Sequence, residues 1–497
     1  MLIHLPLVVV LVPAVLIRVA AVLGYPAPMW FGDSPEYLEA AIEGRPGRTR
    51  PSGYSVLLWL IKPFHSFTLM VSVQHLIGVL TGVLVYALVW RAARAAWPDG
   101  PDRAGGSGGR WAWRVWTPGA LGAVLAVPVL FPVQQIALEH MLMSDSLFTF
   151  LLLAAVAAVL WRHRMTWWLG ALAGLFAAGA ALTRSTGLPL IAVLLVAMLL
   201  RRAGRRACAG AVAVFVLPVA GYMLAFQYVY GEFKLAMANE IWLYGRTADF
   251  ADCRVIEPRP ELAVMCPEHT DPRVSPAFAS MWTEDSPFRD IPGWIYSERA
   301  GSLSGEFSRE AIKAQPGDYA RVVVRDTFRA FEWGREPYPT PWTGLQYEFP
   351  EGESWSDEQD ELAEGYDPDG RTQVVDPWAG WMLAYQDHAV MPGTILGLLL
   401  LGGLGGALLH VRPGGRWRPT RPVRHWATGA LLPWGTSLAL LVIPAATADF
   451  DYRYVLPAVP FACVALALAA LPPPRRHTPG PAGPEAHTES ESVLEPS

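Results

Sequence analysis

Residues 30–40 read WFGDSPEYLEA and present Asp33, Glu36 and Glu39 directly after an apolar run, LPLVVVLVPAVLIRVAAVLG. A carboxylate at that place can take a proton from a hydroxyl close to the layer of lipid headgroups. Asp33 or Ser34 could equally cap a short helix that starts at Pro35 and runs through Glu43. Glu36 would share a helix face with Asp33 or Glu39, which leaves its role open, and Glu39 reads as a solvated helix residue. The next stretch, RTRPSGYSVLLWLIKPFH (48–65), carries Arg48, Arg50, Lys62 and His65 around a short apolar segment. That segment suits a helix lying in the membrane interface. Its cations can contact phosphate or snorkel to lipid headgroups.

Three further clusters bear charge beside apolar runs, where charge is costly and usually functional. In PVQQIALEHMLMSDSLFTFLLLA (132–154), Glu139, His140 and Asp145 precede an apolar helix. Ser144 could cap that helix, and Asp145 could simply favour its N-terminal dipole. In GAALTRSTGLPL (179–190), Arg184 stands alone between apolar runs and suits an anion, either a substrate phosphate or a lipid headgroup. In ATADFDYRYVLPAVP (446–460), Asp449, Asp451 and Arg453 open the last apolar run, and one Asp could pair with Arg453. A carboxylate base together with cationic groups suits group transfer from a lipid phosphate.

These residues need a membrane scaffold, and composition supplies one. The chain has 497 residues, of which 52% are hydrophobic and only 17% charged, with mean hydropathy +0.27. Soluble proteins are about 25% charged. A net charge of −5 gives no reason to expect a nucleic-acid partner. Apolar runs near 3–23, 68–90, 115–132, 147–160, 166–182, 187–200, 209–228, 390–409, 427–444 and 454–471 predict about ten transmembrane helices. Alternate loops are rich in arginine: 90–114, 161–164, 201–206, 410–425 and 472–477. Short basic loops stay cytoplasmic, so both termini are expected inside and the carboxylate-bearing loops outside a plasma-membrane protein. The first run lacks a basic leader and a small-residue cleavage site, so it reads as a span and not a signal peptide.

The fold class expected is therefore an all-α polytopic membrane protein with an extracytoplasmic mixed insert between the seventh and eighth spans. The divisions are a transmembrane catalytic module (1–228), the insert (229–389), C-terminal transmembrane helices (390–471) and a disordered cytoplasmic tail (472–497) rich in Pro, Gly, Glu and Ser. Within the insert, 302–334 predicts two amphipathic helices split at Pro316-Gly317, and 351–370 predicts an exposed acidic loop. Cys253 and Cys266 fall in the insert, where an oxidising exterior permits a disulfide; zinc lacks the necessary Cys/His spacing. Cys208 and Cys463 read as packing residues.

Taken in order, GDSPEYL, RPSGY, LMSDSLFTFLLLA, GALAGLFAAGAALTRSTGLPL and DYRYVLPAVP resemble the GT-C superfamily of polyprenyl-phosphate-sugar-dependent glycosyltransferases. Protein O-mannosyltransferases and lipid A aminoarabinose transferases are better known members. The resemblance covers roughly 1–225 and 430–470. It implies inverting transfer of a hexosyl or pentosyl group from a polyprenyl-phosphate donor to an extracytoplasmic acceptor, with or without a divalent cation. It places the catalytic base on Asp33. Arg184 and Arg453 match positions near the donor phosphate, and Asp145 matches an acid that orients the acceptor or a metal; Asp33 and Asp145 are the metal candidates. Arg50, Lys62, Glu139 and Asp449 complete the candidate substrate contacts. Many members carry two adjacent acids in the first loop, whereas Glu36 here follows Asp33 by three residues. Two other readings suit a chain of this kind. A transporter or flippase of lipid-linked sugars predicts midplane charges and an internal repeat. A non-catalytic envelope-assembly scaffold predicts outer-face acids that tolerate change.

Overall fold

The computed structural model describes residues 2–97, 109–162, 164–268, 271, 273–352, 357–371, 373–411 and 421–471. The tail, part of the first basic loop, most of the fourth and part of the acidic loop lie outside the described residues. Every apolar run named above carries a helix. In chain order these are α1 (Leu5–Gly24), α2 (Ser34–Glu43), α3 (Gly53–Ile61), α4 (Phe67–Ala96), α5 (Gly109–Leu130), α6 (Val133–His140), α7 (Asp145–Leu160), α8 (Trp167–Thr183), α9 (Leu190–Leu200) and α10 (Arg205–Tyr230). The insert follows with α11 (Asn239–Ala248), α12 (Cys253–Ile256), α13 (Pro276–Trp282), α14 (Glu298–Ala314), α15 (Pro316–Arg329), α16 (Pro341–Leu345), α17 (Asp357–Glu364) and α18 (Trp378–Gln386). The chain closes with α19 (Gly393–Val411), α20 (Arg421–Thr447) and α21 (Val459–Ala470).

Among the described residues, five helical stretches are long and apolar enough to cross a membrane, and a sixth if the α5–α6 pair, bent by 60°, is one span. The helices at 145–160, 167–183, 185–200 and 393–409 are shorter. This is a multi-pass membrane protein in which some of the apolar helices, α7 to α9, are shorter than a full span. Where a mixed insert was expected, the described residues contain helices and loops; the one pairing of extended backbone is an isolated bridge between Met29 and Met141.

Close backbone contact holds the bundle. Lipid supplies no hydrophobic drive between helices, so small residues that let backbones touch are favoured. A Cβ on Gly170 or Gly174 of α8 would lie 2.1 Å from a carbonyl oxygen of Ala207 or Ala211 in α10. Charge also enters the interior. Arg18 of α1 is buried, and its guanidinium bonds both carboxylate oxygens of Glu139 in α6 at 2.7 and 2.9 Å. It also donates to the Leu130 carbonyl at the end of α5, 2.9 Å away. That carbonyl has lost its helical partner at the bend, and the arginine satisfies it. His75 Nδ1 reaches Glu139 at 3.0 Å, and His75 Nε2 meets His140 Nδ1 at 3.0 Å. Gly78 makes room for the carboxylate, since a Cβ there would sit 1.9 Å from Glu139 Oε1.

The insert has its own core around Ile241, Tyr244, Met265 and Phe307. A Cys253–Cys266 disulfide closes one edge of it. Pro316 starts α15 and separates it from α14, as its missing N–H requires. A buried arginine, Arg246 of α11, joins Asp326 of α15 and Asp249, and donates to the Ala448 carbonyl at 3.3 Å. This contact seats the insert on the segment between α20 and α21.

Candidate functional site

The segment between α1 and α3 is folded against protein and is not a solvated loop. Tyr25, Ala27, Met29 and Phe31 are buried in a core shared with Tyr54, Met141 and Phe349. Met29 N–H donates to His140 O at 3.1 Å, and Leu142 N–H donates to Met29 O at 2.9 Å. This strap carries the chain from α1 into α2. Asp33 occupies the cap position of α2, yet its carboxylate makes no capping bond. Ser34 instead fixes the turn, accepting from Phe31 N–H and donating to Leu142 O. The Asp33 carboxylate turns to two arginines: Arg50 Nη2 lies 2.6 Å from Oδ1, and Arg453 Nη1 lies 2.8 Å from Oδ2.

Glu36 explains how Arg50 is delivered. It accepts from the Thr49 N–H, the Thr49 hydroxyl and the Arg50 N–H, pinning the 47–50 turn over α2. Arg453 follows Asp451, which caps the 452–454 turn by accepting from Arg453 N–H and also accepts from the Tyr347 hydroxyl. Burial pushes the Asp33 carboxyl upward, but Arg453 and Arg50 outweigh it and hold the group well below the usual carboxylate range. For Glu36 burial prevails over its hydrogen bonds, so its pKa is raised. Asp449, held by Ser275 and Tyr338 hydroxyls of the insert, is raised by burial from 3.8 to about 6.

These residues line a cavity of about 840 Å³. The α2 side contributes Asp33, Glu36, Glu39, Glu43, Arg45, Arg48 and Arg50; the C-terminal segment contributes Asp449, Asp451, Arg453 and Tyr454; the insert supplies Trp242, Trp282, Trp294, Tyr296 and Trp342. Of the sequence candidates, Asp33, Arg50, Asp449 and Arg453 therefore meet in one place.

Asp145 and Arg184 lie just behind it. Asp145 is the first residue of α7, but its carboxylate bonds Arg184 and does not cap. The Arg184 guanidinium stacks 5.2 Å from the ring of Tyr454, whose other neighbour is Arg453, also at 5.2 Å. Two candidates are placed elsewhere. Lys62 Nζ donates to the Ile42 carbonyl at 2.9 Å and ties α3 to α2. Glu139 faces α1 and α4 inside the bundle, because the bend after α5 turns α6 inward toward Arg18. Neither lines the cavity. The sequence reading gave no role to Arg18 or Glu36; an arginine inside an apolar run was the available signal for the first, and nothing local announced the second.

Among the described residues no three His, Cys, Asp or Glu side chains converge as a divalent cation requires. The two metal candidates, Asp33 and Asp145, are each engaged by arginine. This donor set does not fit a divalent cation.

Fold and cavity together define a multi-pass helical membrane protein with a cavity roofed by an insert and floored by an arginine-bracketed carboxylate. No family model matches the chain, and no curated protein matches it. Among solved structures it is similar to the crystal structures of ArnT from Cupriavidus metallidurans, one bound to undecaprenyl phosphate and one in the apo state. Each is 14% identical and covers 93% of this chain and 76% of that one, with TM-scores of 0.36 and 0.35.

Proposed function

We propose that the protein is an inverting membrane glycosyltransferase that moves a hexosyl or pentosyl group from a polyprenyl-phosphate donor to an extracytoplasmic acceptor. The observation that carries this reading is the convergence of Arg50 and Arg453, from opposite ends of the chain, on the cavity carboxylate Asp33. Two guanidiniums side by side make a phosphate site by geometry and charge. The donor phosphate takes over both arginines and releases the Asp33 carboxylate from them. The freed carboxylate becomes more basic and accepts the proton of the acceptor hydroxyl. The acceptor oxygen forms its bond to the anomeric carbon, and the bond from that carbon to the phosphate oxygen breaks. The electron pair leaves on polyprenyl phosphate, whose charge the two arginines stabilise.

Asp145 holds Arg184, which supports Tyr454 and Arg453 from behind. The resemblance of the sequence motifs to GT-C enzymes supports the same reading, in which the cavity opens to the exterior face of the plasma membrane. The test is transfer of radiolabel from polyprenyl-phosphate sugars to a membrane extract by the purified protein. Equal transfer by wild type and Asp33→Asn removes the base; label that crosses vesicles without product makes the protein a carrier.

A further inference from the structure

The insert wall of the cavity is built from aromatic rings arranged in sequence. The Arg50 guanidinium stacks 4.6 Å from the ring of Trp242. Trp242 neighbours Trp282 at 6.3 Å, Trp282 neighbours Tyr296 at 6.1 Å, and Tyr296 meets Trp294 edge-on at 4.7 Å. Arg48 closes the arc, 5.3 Å from the Trp294 ring. Trp282 and Trp294 remain 40% and 47% exposed although both line the cavity. Tyr296 is buried apart from an 8% remnant. Among the described residues, neither the Tyr296 hydroxyl nor the indole N–H groups of Trp282 and Trp294 have a hydrogen-bond partner. Large rings left exposed inside a cavity, with idle donors, mark a binding surface and not a packed core.

We infer that this arc is the acceptor subsite, and that the acceptor is a carbohydrate chain. The inference rests on the transfer reading above and names the substrate that reading leaves open. A pyranose has a face of C–H groups and an equatorial rim of hydroxyls. Stacking its C–H face on the indole rings buries the exposed aromatic surface. The rim then meets the idle Tyr296 and indole donors, and Arg48. A polyprenyl tail is apolar along its whole length, whereas this run of four rings is closed at each end by a guanidinium, Arg50 and Arg48. The arc also begins at Arg50, the partner of Asp33, so a sugar stacked on Trp242 and Trp282 brings a hydroxyl to the base.

The test uses the full chain in lipid nanodiscs. Saturation-transfer NMR probes maltotetraose, chitotetraose and mannotetraose, with a Ser/Thr peptide as control, and a separate titration follows polyprenyl phosphate. At least one oligosaccharide binds saturably and the peptide does not. Trp282→Leu and Trp294→Leu each weaken that oligosaccharide about tenfold, and the double variant retains polyprenyl-phosphate binding. No binding of any oligosaccharide, peptide binding instead, or loss of polyprenyl phosphate in the double variant overturns the assignment; the last outcome gives the wall to the lipid. Failure of wild type to bind polyprenyl phosphate, with oligosaccharide still bound, sinks the donor reading and leaves a glycan-binding cavity.

Discussion

Replacing Asp33 by Asn removes one negative charge from between Arg50 and Arg453 and leaves the side chain nearly the same shape. Two opposite effects follow from the geometry. Without a base, turnover falls by about 10²–10⁴, the ordinary contribution of a positioned proton acceptor. That corresponds to roughly 3–5 kcal/mol of barrier. Donor binding moves the other way. In wild type the phosphate has to displace a carboxylate bonded to both arginines at 2.6 and 2.8 Å. A charge-assisted bond contributes about 1.5–3 kcal/mol, and asparagine offers only a neutral replacement. Losing one such bond's worth of competition tightens polyprenyl phosphate by roughly 10–100-fold, at 1.4 kcal/mol per factor of ten. Titration of polyprenyl phosphate into nanodiscs measures the affinity, radiolabel transfer measures turnover, and thermal unfolding confirms that the variant is folded. Unchanged or weaker donor binding by a folded Asp33→Asn protein means that the arginines do not hold the phosphate. Turnover within a few-fold of wild type means that Asp33 is not the base.

Gly78→Ala drives a methyl group into the Glu139 carboxylate and separates it from Arg18, so the bundle loses about 3–5 kcal/mol, the cost of breaking a buried pair; a loss below about 1 kcal/mol in micelle unfolding shows that the network simply rearranges. Asp449 binds its proton more tightly in the folded protein than in the unfolded chain, with a pKa of about 6 against 3.8. Its stabilisation is therefore fully present below pH 4 and lost as pH rises through about 6, amounting to about 3 kcal/mol. Protease release of the insert should accordingly increase from pH 4.5 to pH 7 in wild type, and the same profile in Asp449→Asn refutes the assignment. Cys253→Ser opens a loop of sequence separation 13 and costs the insert roughly 3 kcal/mol, read as faster proteolysis between α12 and α13 and absent if the bridge is idle.

Much of the scaffold was legible because membrane helices announce themselves by composition. Runs such as 209–228 and 454–471 need no partner to be recognised, and Pro316 fixes the break between α14 and α15 through a local rule. The bounds of α2 follow from Pro35 and Gly44, the latter in the left-handed region at φ 67°. Side-chain direction was not legible. Asp33, Ser144 and Asp145 all sit at helix starts where capping is the local expectation, and none of them caps. Each is drawn off by a partner from elsewhere in the chain, and no local pattern encodes that distance. Glu139 was misplaced for the same reason: its charge is conspicuous, but the bend that turns it inward depends on α5 meeting α1. The cavity itself needs the insert, whose rings come from α11, α13 and the loop before α14.

The Asp33–Arg453 pair joins residues 420 positions apart, and that separation has a consequence for biosynthesis. The first helix enters the membrane long before the ribosome reaches the last. Until Tyr452–Ala470 has been inserted, Asp33 has one of its two arginines and the cavity lacks the wall formed by Asp449, Asp451 and Tyr454. A chain that stops before that helix therefore leaves Asp33 bonded to Arg50 alone.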